Sequence, residues 1–449
     1  MQDQPMWKRT RYAAEIGEED YNTEIILCGW VQSVKNLGKM AFLKIRDRTG
    51  LAQVTALSKT MDAETYKKIV STPRESAISV HGVVKQSPQA RSGWEIIPYH
   101  FTVLGQSNTP LPLGVVDKVD ADMDTRFDNR FLDLRKPEIQ SIFKVRSTLL
   151  SAVRNTFWEE GFIEIQTPKI VATATEGGTA LFEMQYFDKT AYLNQSPQLF
   201  KQTMMATGLD RVYEIGPAFR AEEHDTIRHL NEYTSVDVEM AWVDMEDSME
   251  LLERMIQNIY SEILNNNYMD LDILDMKLVS PERPFPQIKY EEVMDLLRED
   301  KVKVKDDKTG KKRLIEWGDD IPQEGYKVLA KDRPSLYYII DWPVDLKPFY
   351  IHPKDKGMEI SKGFDLNFGE KEIVSGGQRV HEPDLLKSMI ERKGLKVESF
   401  EFYTKAFEYG MPPHSGWGLG VERLTMILTN TSNVREVVLF PRDRNRLVP

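Results

Sequence analysis

Near residue 106 the hydrophobic period of this chain changes from 2 to 3.6, so the two sides of that point belong to differently built domains. Ahead of it lie five short runs of β-type residues: TEIILCGWVQSV (23–34), MAFLKIRD (40–47), LAQVTAL (51–57), SAISVHGVVKQ (76–86) and WEIIPYHFTVL (94–104). The second and third read as a hairpin around Arg48, Thr49 and Gly50, and a helical segment at 62–70 separates the third from the fourth. That order suits an OB-fold over residues 1–105, a frequent carrier of single-stranded nucleic acid, although other small five-stranded barrels share it.

Pro110 and Pro112, in GQSNTPLPLGVVDK, resist both helix and central strand, so residues 106–136 read as a hinge. After Pro137 the apolar residues Ile139, Ile142, Phe143, Val145, Leu149, Val153 and Phe157 recur at helical spacing until Gly161 stops them. Beyond this long amphipathic helix, GFIEIQTPKIV, YLNQSPQLF, VYEIGPAFR, TSVDVEMAWV, PFYIHP, GFDLNFG and VVLFPRD read as strands, mixed with helices such as 246–264. Residues 137–449 are thus expected to form an α+β domain on a mostly antiparallel sheet. The basic run KVKVKDDKTGKKR (301–313) reads as a solvated loop.

At 449 residues the chain exceeds what one hydrophobic core usually organises. No apolar stretch approaches the roughly 20 residues of a membrane helix, which excludes a spanning protein. The first 20 residues lack an apolar signal core, and the lone Cys28 excludes an internal disulfide framework, so a reducing cytoplasm is expected. Residues 1–110 carry 14 Lys and Arg against 11 Asp and Glu, a balance of +3, which leaves 45 against 59, or −14, for the remainder. Any attraction to a polyanion is therefore local to the first domain, and ordinary charge scatter explains +3 equally well.

Neither a P-loop nor a GxGxxG turn is present, so a nucleotide site here must be built from side chains. Three segments supply them: FRAEE (219–223) with RHLNE (228–232), KEIVSGGQR (371–379) and GWGLGVERL (416–424). Arginine offers a planar fork that grips phosphate or carboxylate through two hydrogen bonds, so Arg220, Arg379 and Arg423 can clamp three parts of one anionic complex. Glu372 and Ser375 are oxygen donors suited to Mg²⁺ bridging phosphates. Singly these motifs say little, because FRxE is ordinarily a surface ion pair and GLGVER a tightly packed helix start.

Together and in order they resemble the signature of the class II aminoacyl-tRNA synthetases. Motif 1 would be the long helix plus GFIEIQTP, ending at Pro168, which that family uses for a homodimer interface. Motif 2 would be residues 216–242, and motif 3 GLGVERL. The resemblance spans nearly the whole chain and includes the N-terminal OB-fold of the subgroup handling aspartate, asparagine and lysine. It implies ATP binding at Arg220, Glu222, Arg228, His229, Leu230, Glu372, Gly420, Val421, Glu422 and Arg423, with Arg220 and Arg423 as the catalytic pair and Mg²⁺ on Glu372 and Ser375.

QSPQLFKQ (195–202) and TATEGGTALF (173–182) look like the aspartyl members, of archaeal and eukaryotic type. That implies an aspartate pocket of Glu176, Gln198, Lys201, Arg220, Ser375 and Arg379, with Lys201 and Arg379 on the side-chain carboxylate. A buried cationic pair matches an anion and leaves an amide poorly satisfied. A lone helix lysine is ordinarily a solvated charge; beside SPQ and with GGQRVH downstream, the ligand reading of Lys201 is favoured. The related barrels stack an anticodon base on an aromatic of the second strand, matching Phe42, with Gln53 and Glu95 in polar positions; Phe42 fits barrel core equally well. The implied reaction joins aspartate, through an ATP-derived adenylate, to tRNA(Asp), with tRNA(Asn) left open as a second acceptor. Competing readings are an asparaginyl-tRNA synthetase, a stand-alone adenylate-forming asparagine synthetase, and a noncatalytic OB-fold scaffold. His414, in PPHSG, reads as structural.

Overall fold

The computed structural model describes residues 7–116, 121–172, 181–222, 226–227, 229–306 and 310–449. The expected Glu176 and Arg228 lie outside the described residues. Two compact units, Met1–Thr125 and Arg126–Pro449, divide the chain inside the stretch expected to be a hinge.

In the first unit β1 (Glu24–Asn36), β2 (Met40–Arg46), β3 (Leu51–Leu57), β4 (Ala77–Gln86) and β5 (Trp94–Gly105) close into a barrel in the order β1-β2-β3-β5-β4, with helix α1 (Ala63–Ser71) between β3 and β4. Closure rests on β1, whose first half pairs with β4 and whose second half pairs with β2, turning the corner at Trp30. Gly29 sits at that corner because a Cβ there would collide with the Arg46 carbonyl oxygen. Ala41, Leu43 and Ile45 point inward with Val54, Ile78, Val80 and Ile96. Strand alternation therefore places Phe42 on the outer face, half-buried, paired across the sheet with Lys35 and Thr55. The core alternative for Phe42 is thereby excluded. Gln53 and Glu95 share a face with it: Gln53 Nε2 donates to Glu95 at 3.2 Å and Thr55 Oγ1 donates to the same carboxylate at 2.5 Å.

In the second unit, helix α2 (Pro137–Glu159) begins with proline at its first turn, where the missing N–H has no partner to lose. It ends before Gly161, which takes φ +76°. The sheet comprises β6 (Ile163–Glu164), β7 (Arg211–Phe219), β8 (Glu232–Ala241), β9 (Gln287–Lys289), β10 (Leu336–Ile340), β11 (Gly363–Phe368), β12 (Lys371–Gln378) and β13 (His414–Gly420), in the order β9-β10-β11-β12-β13-β8-β7-β6. Only the two outermost pairs, β6 with β7 and β9 with β10, are parallel. Three helices matter for the site: α3 (Gln198–Met204), α4 (Met245–Asn266) and α5 (Val421–Leu428). Asp244 caps α4 by accepting from the Asp247 N–H at 3.0 Å.

Helices α2 and α4 cover one face of this sheet. Leu149, Val153 and Phe157 from α2 and Leu252, Ile256 and Ile259 from α4 pack on Val236, Val238, Trp417 and Leu419. The opposite face is polar and builds the site. Residues 126–136, expected as hinge, belong here: Arg130 is 1% exposed, pairs with Asp133 at 2.6 Å, and donates to the carbonyls of Glu436, Val438 and Leu439. Phe157 is fully buried with its ring 4.5 Å from that of Tyr213 and 6.1 Å from that of Trp417. Phe157→Ala should therefore cost about 3–5 kcal/mol of stability in denaturant unfolding. Tyr409→Ala, at a side chain 78% exposed, should stay within about 0.5 kcal/mol.

Candidate active site

Sheet register assembles the site in rows. On the polar face Asp365, Ser375, Gly418 and Asp237 lie side by side across β11, β12, β13 and β8, and Gly363, Gly377, Gly416 and Glu239 form the next row. The glycines of β13 are required by their neighbours. A Cβ on Gly416 would strike the Val238 carbonyl and come 2.6 Å from the Glu239 carboxylate, and one on Gly418 would sit 3.2 Å from that of Asp237. Above these rows opens a cavity of about 330 Å³. Its lining includes Gln198, Arg220, Glu222, His229, Leu230, Glu372, Ser375, Arg379, Gly420, Glu422 and Arg423, which the sequence reading had singled out from five separate segments.

One end is floored by buried charge. The Arg379 guanidinium donates to both oxygens of Glu239 at 2.9 and 3.2 Å and to Gln198 Oε1 at 3.5 Å, and stands 5.4 Å from the Tyr350 ring centre. Burial opposes its charge, but Glu239 overcomes that and holds its pKa above the ordinary arginine value. Lys201, on α3, is placed differently from the sequence expectation: it is 1% exposed, does not line the cavity, and its ammonium donates to Asp237 at 2.9 Å and to the Trp417 carbonyl at 3.0 Å. A buried ammonium needs a counter-charge at all times, and Asp237 supplies it from the cavity wall.

Beneath Gln198 runs a chain of hydrogen bonds. Gln198 Nε2 donates to Gln202 Oε1 at 2.8 Å, and Gln202 Nε2 lies 3.0 Å from His414 Nε2. His414 Nδ1 lies 2.8 Å from the Pro412 carbonyl, which can only accept, so Nδ1 carries the proton and Nε2 receives the Gln202 amide.

The other end is lined with arginine. The Arg220 backbone N–H donates to the Asn231 carbonyl at 2.9 Å, closing the motif 2 hairpin, and its guanidinium stands 5.8 Å from the Tyr233 ring. Arg423, in the first turn of α5, donates to the Glu372 carbonyl at 2.8 Å and lies 3.8 Å from its carboxylate. Although 39% of the Glu372 side chain is accessible, the atoms crowding it and the Asp365 carboxylate raise its pKa. Two of the expected nucleotide residues also have structural partners, and Glu422 lines the cavity as well. Val421 is fully buried among the helices, and the Glu422 carboxylate accepts from Arg146 at 2.7 Å and from the Thr234 N–H at 3.1 Å.

Sequence reasoning passed over Asp237, Glu239, Asp365 and Lys347. The first two were detectable in SVDVEMA, where Ser235, Asp237 and Glu239 alternate with Val236, Val238 and Met240 as a strand with one polar face requires. Lys347 and Asp365 leave no local signal; they meet at 2.6 Å from distant segments.

His414 yields a pH prediction. Burial, which outweighs the nearby Glu239 carboxylate, pushes its pKa down to about 4. The unfolded imidazole protonates near its ordinary value of about 6.5, so the unfolded state binds more protons between the two values. The stabilisation from keeping His414 neutral is complete above about pH 6.5 and fades toward pH 4, by on the order of 3 kcal/mol. Unfolding free energies measured across that window should fall more steeply for the native chain than for His414→Gln.

With this geometry in place, comparison with known proteins identifies the family. Residues 122–444 match the tRNA synthetases of class II (D, K and N), and residues 25–104 match the OB-fold nucleic acid binding domain. An aspartate–tRNA(Asp) ligase of Pyrococcus abyssi is 51% identical over 98% of this chain and 100% of its own. An aspartate–tRNA(Asp/Asn) ligase of Methanococcus aeolicus is 48% identical over 99% of each. Among solved structures, the asparaginyl-tRNA synthetase of Pyrococcus horikoshii with asparaginyl-adenylate superposes with TM-score 0.90 at 32% identity, covering 98% of this chain and 99% of that one. The aspartyl-tRNA synthetase of Entamoeba histolytica gives 0.84 at 28%, covering 100% of this chain and 95% of that one. A barrel of the OB type, a mixed antiparallel sheet carrying all three motifs, and full-length identity of about half to such ligases lead to one conclusion: the chain belongs to the class II aminoacyl-tRNA synthetases, in the aspartate–tRNA ligase family.

Proposed function

We propose that the cavity forms aspartyl-adenylate from L-aspartate and ATP, and that the enzyme then transfers the aspartyl group to the 3′ end of tRNA(Asp), with tRNA(Asn) as a second acceptor to be tested. The observation that carries this reading is Arg379, a buried guanidinium opening onto the cavity beside Gln198 with Lys201 behind it. A guanidinium on the cavity floor suits a side-chain carboxylate, which it can grip through charge-assisted hydrogen bonds, better than an uncharged amide. The substrate ammonium meets Asp237 on the cavity wall. Its α-carboxylate then faces the arginine-lined end, where Arg220 is placed to stabilise charge developing on the α-phosphate and Arg423 to pack against adenine.

The donors around Glu372 fit Mg²⁺. They are oxygens, and both Glu372 and Ser375 line the cavity on β12, where a cation bridging phosphate oxygens would sit. Glu372 and Ser375 would hold the ion, which supplies positive charge to the phosphates. Phe42, Gln53 and Glu95 form one outer face of the barrel and are the proposed anticodon contacts. Trp158 and Ile163 leave apolar surface exposed between α2 and Pro168, which a second copy would cover in a homodimer. The lone Cys28 accords with a reducing cytoplasm, and among the described residues no helix is long and apolar enough to cross a membrane.

Pyrophosphate exchange into ATP should require aspartate and Mg²⁺ but not tRNA; exchange driven by asparagine instead would overturn the specificity. Arg379→Ala should weaken aspartate by about 2–5 kcal/mol. Because Glu239 loses its bidentate partner in that variant, its unfolding is followed alongside, and Arg379→Lys, which keeps the charge and loses the fork, separates binding from folding.

Phe42→Ala should leave tRNA-independent aspartate activation unchanged and weaken charging, measured with tRNA(Asp) and tRNA(Asn) separately, by about 1–3 kcal/mol. Its half-buried outer position predicts little change in thermal unfolding. Undiminished charging would remove this barrel face from the anticodon contacts.

A further inference from the structure

At the side of the cavity, two chain segments run antiparallel and bring together three side chains with no part in the chemistry described above. Ile351 bridges Arg379, and the His352 N–H donates to the Gln378 carbonyl at 2.9 Å. One segment thus carries His352, and the other, just past Arg379, carries His381 and Glu382. Their ligating atoms all lie within 4.8 Å of one another. His352 Nε2 is 3.5 Å from Glu382 Oε1, and His381 Nδ1 is 3.4 Å from Glu382 Oε2. A tetrahedral ion with bonds of about 2.1 Å sets its ligands about 3.4 Å apart; each imidazole already stands at that spacing from one of the two Glu382 oxygens, and a small closure of the two segments with a rotation of the half-exposed Glu382 would bring the three groups onto one ion.

Two further observations point to a ligand. His352 Nδ1 faces the Pro353 carbonyl, which can only accept, so Nδ1 keeps its proton and Nε2 presents a lone pair toward Glu382. Orientation of one imidazole nitrogen by a carbonyl bonded to the other is the usual support of a metal-ligating histidine. His381 Nδ1 is buried and makes no hydrogen bond among the described residues, where Glu382 lies 3.4 Å from it. A buried ring nitrogen without a partner is costly, and a cation would satisfy it.

We propose that His352, His381 and Glu382 bind a divalent cation of the zinc class, with the fourth position open to solvent, pinning the segment after Arg379 to the one before Pro353. Two imidazoles and one carboxylate are borderline ligands that favour Zn²⁺ and its neighbours over the hard Mg²⁺ proposed for Glu372 and Ser375. The site therefore stands independently of the nucleotide chemistry.

The test uses the untagged full-length protein stripped with chelator, titrated with Co²⁺ as a coloured stand-in and with Zn²⁺ in competition. One equivalent should give visible absorption of low-symmetry, four- or five-coordinate Co²⁺, displaced by Zn²⁺, and Zn²⁺ should raise the thermal midpoint. His352→Ala and His381→Ala should each lose more than roughly 100-fold in affinity, beyond the 10–100-fold expected for an outer-shell partner, while keeping the midpoint of the metal-free protein. His81→Gln should behave as the native chain, since His81 and His100 form a separate imidazole pair on the barrel, with ring centres 6.1 Å apart. Absence of the Co²⁺ spectrum in a folded native protein would overturn the proposal. So would a spectrum that survives His352→Ala combined with His381→Ala, or one abolished by His81→Gln or Cys28→Ser.

Discussion

The site depends on two carboxylates, Asp237 and Glu239, held out of water on one face of a central strand. Each lies opposite a glycine of the neighbouring strand, which clears the space, and each is matched by a cation from elsewhere in the chain. Unpaired, a carboxylate at that depth would be costly to bury, so Lys201 and Arg379 are needed by the fold before any substrate arrives. The consequence for recognition is that the cations are fixed in advance. Gln198 braces Arg379, Gln202 braces Gln198, and a neutral His414 ends the chain of hydrogen bonds, so the cavity floor around Arg379 is held by buried partners.

The arginine-lined end is held by a different device. Glu422, one residue before Arg423, is committed to Arg146 of α2 and to the backbone of β8, which fixes the start of α5 and therefore the direction of Arg423. Arg146 also donates to the Val437 carbonyl, Arg130 donates to those of Glu436, Val438 and Leu439, and the Arg442 carbonyl receives the Asn231 N–H beside Arg220. The last residues of the chain thus brace the motif 2 hairpin. Both ends of the cavity follow the same rule: groups that face substrate are positioned by buried partners that do not.

The chain's own residues legibly announced much of this. The change of hydrophobic period near residue 106, the five β-runs and the helix from Pro137 to Gly161 are local patterns, set by side-chain alternation, proline and glycine, and the elements formed where those patterns place them. The motif arginines were legible only together, since each segment alone reads as an ordinary ion pair or helix start and it is their order along the chain that resembles a known signature. Eleven of the singled-out residues line one cavity although they come from segments far apart in sequence.

What the sequence by itself determined was therefore the type and order of elements and the chemistry on offer. Tertiary structure alone decided facing and partnership. The outward turn of Phe42 follows from which side of β2 meets the barrel core, the withdrawal of Lys201 from the cavity follows from Asp237 two strands from β12, and the meeting of Lys347 with Asp365 and of His352 with His381 follows from strand register. Such pairings have no local signature because buried charges and ring nitrogens take whichever partner the packed sheet brings within hydrogen-bond distance, and that distance is set by cross-strand neighbours rather than by neighbours along the chain.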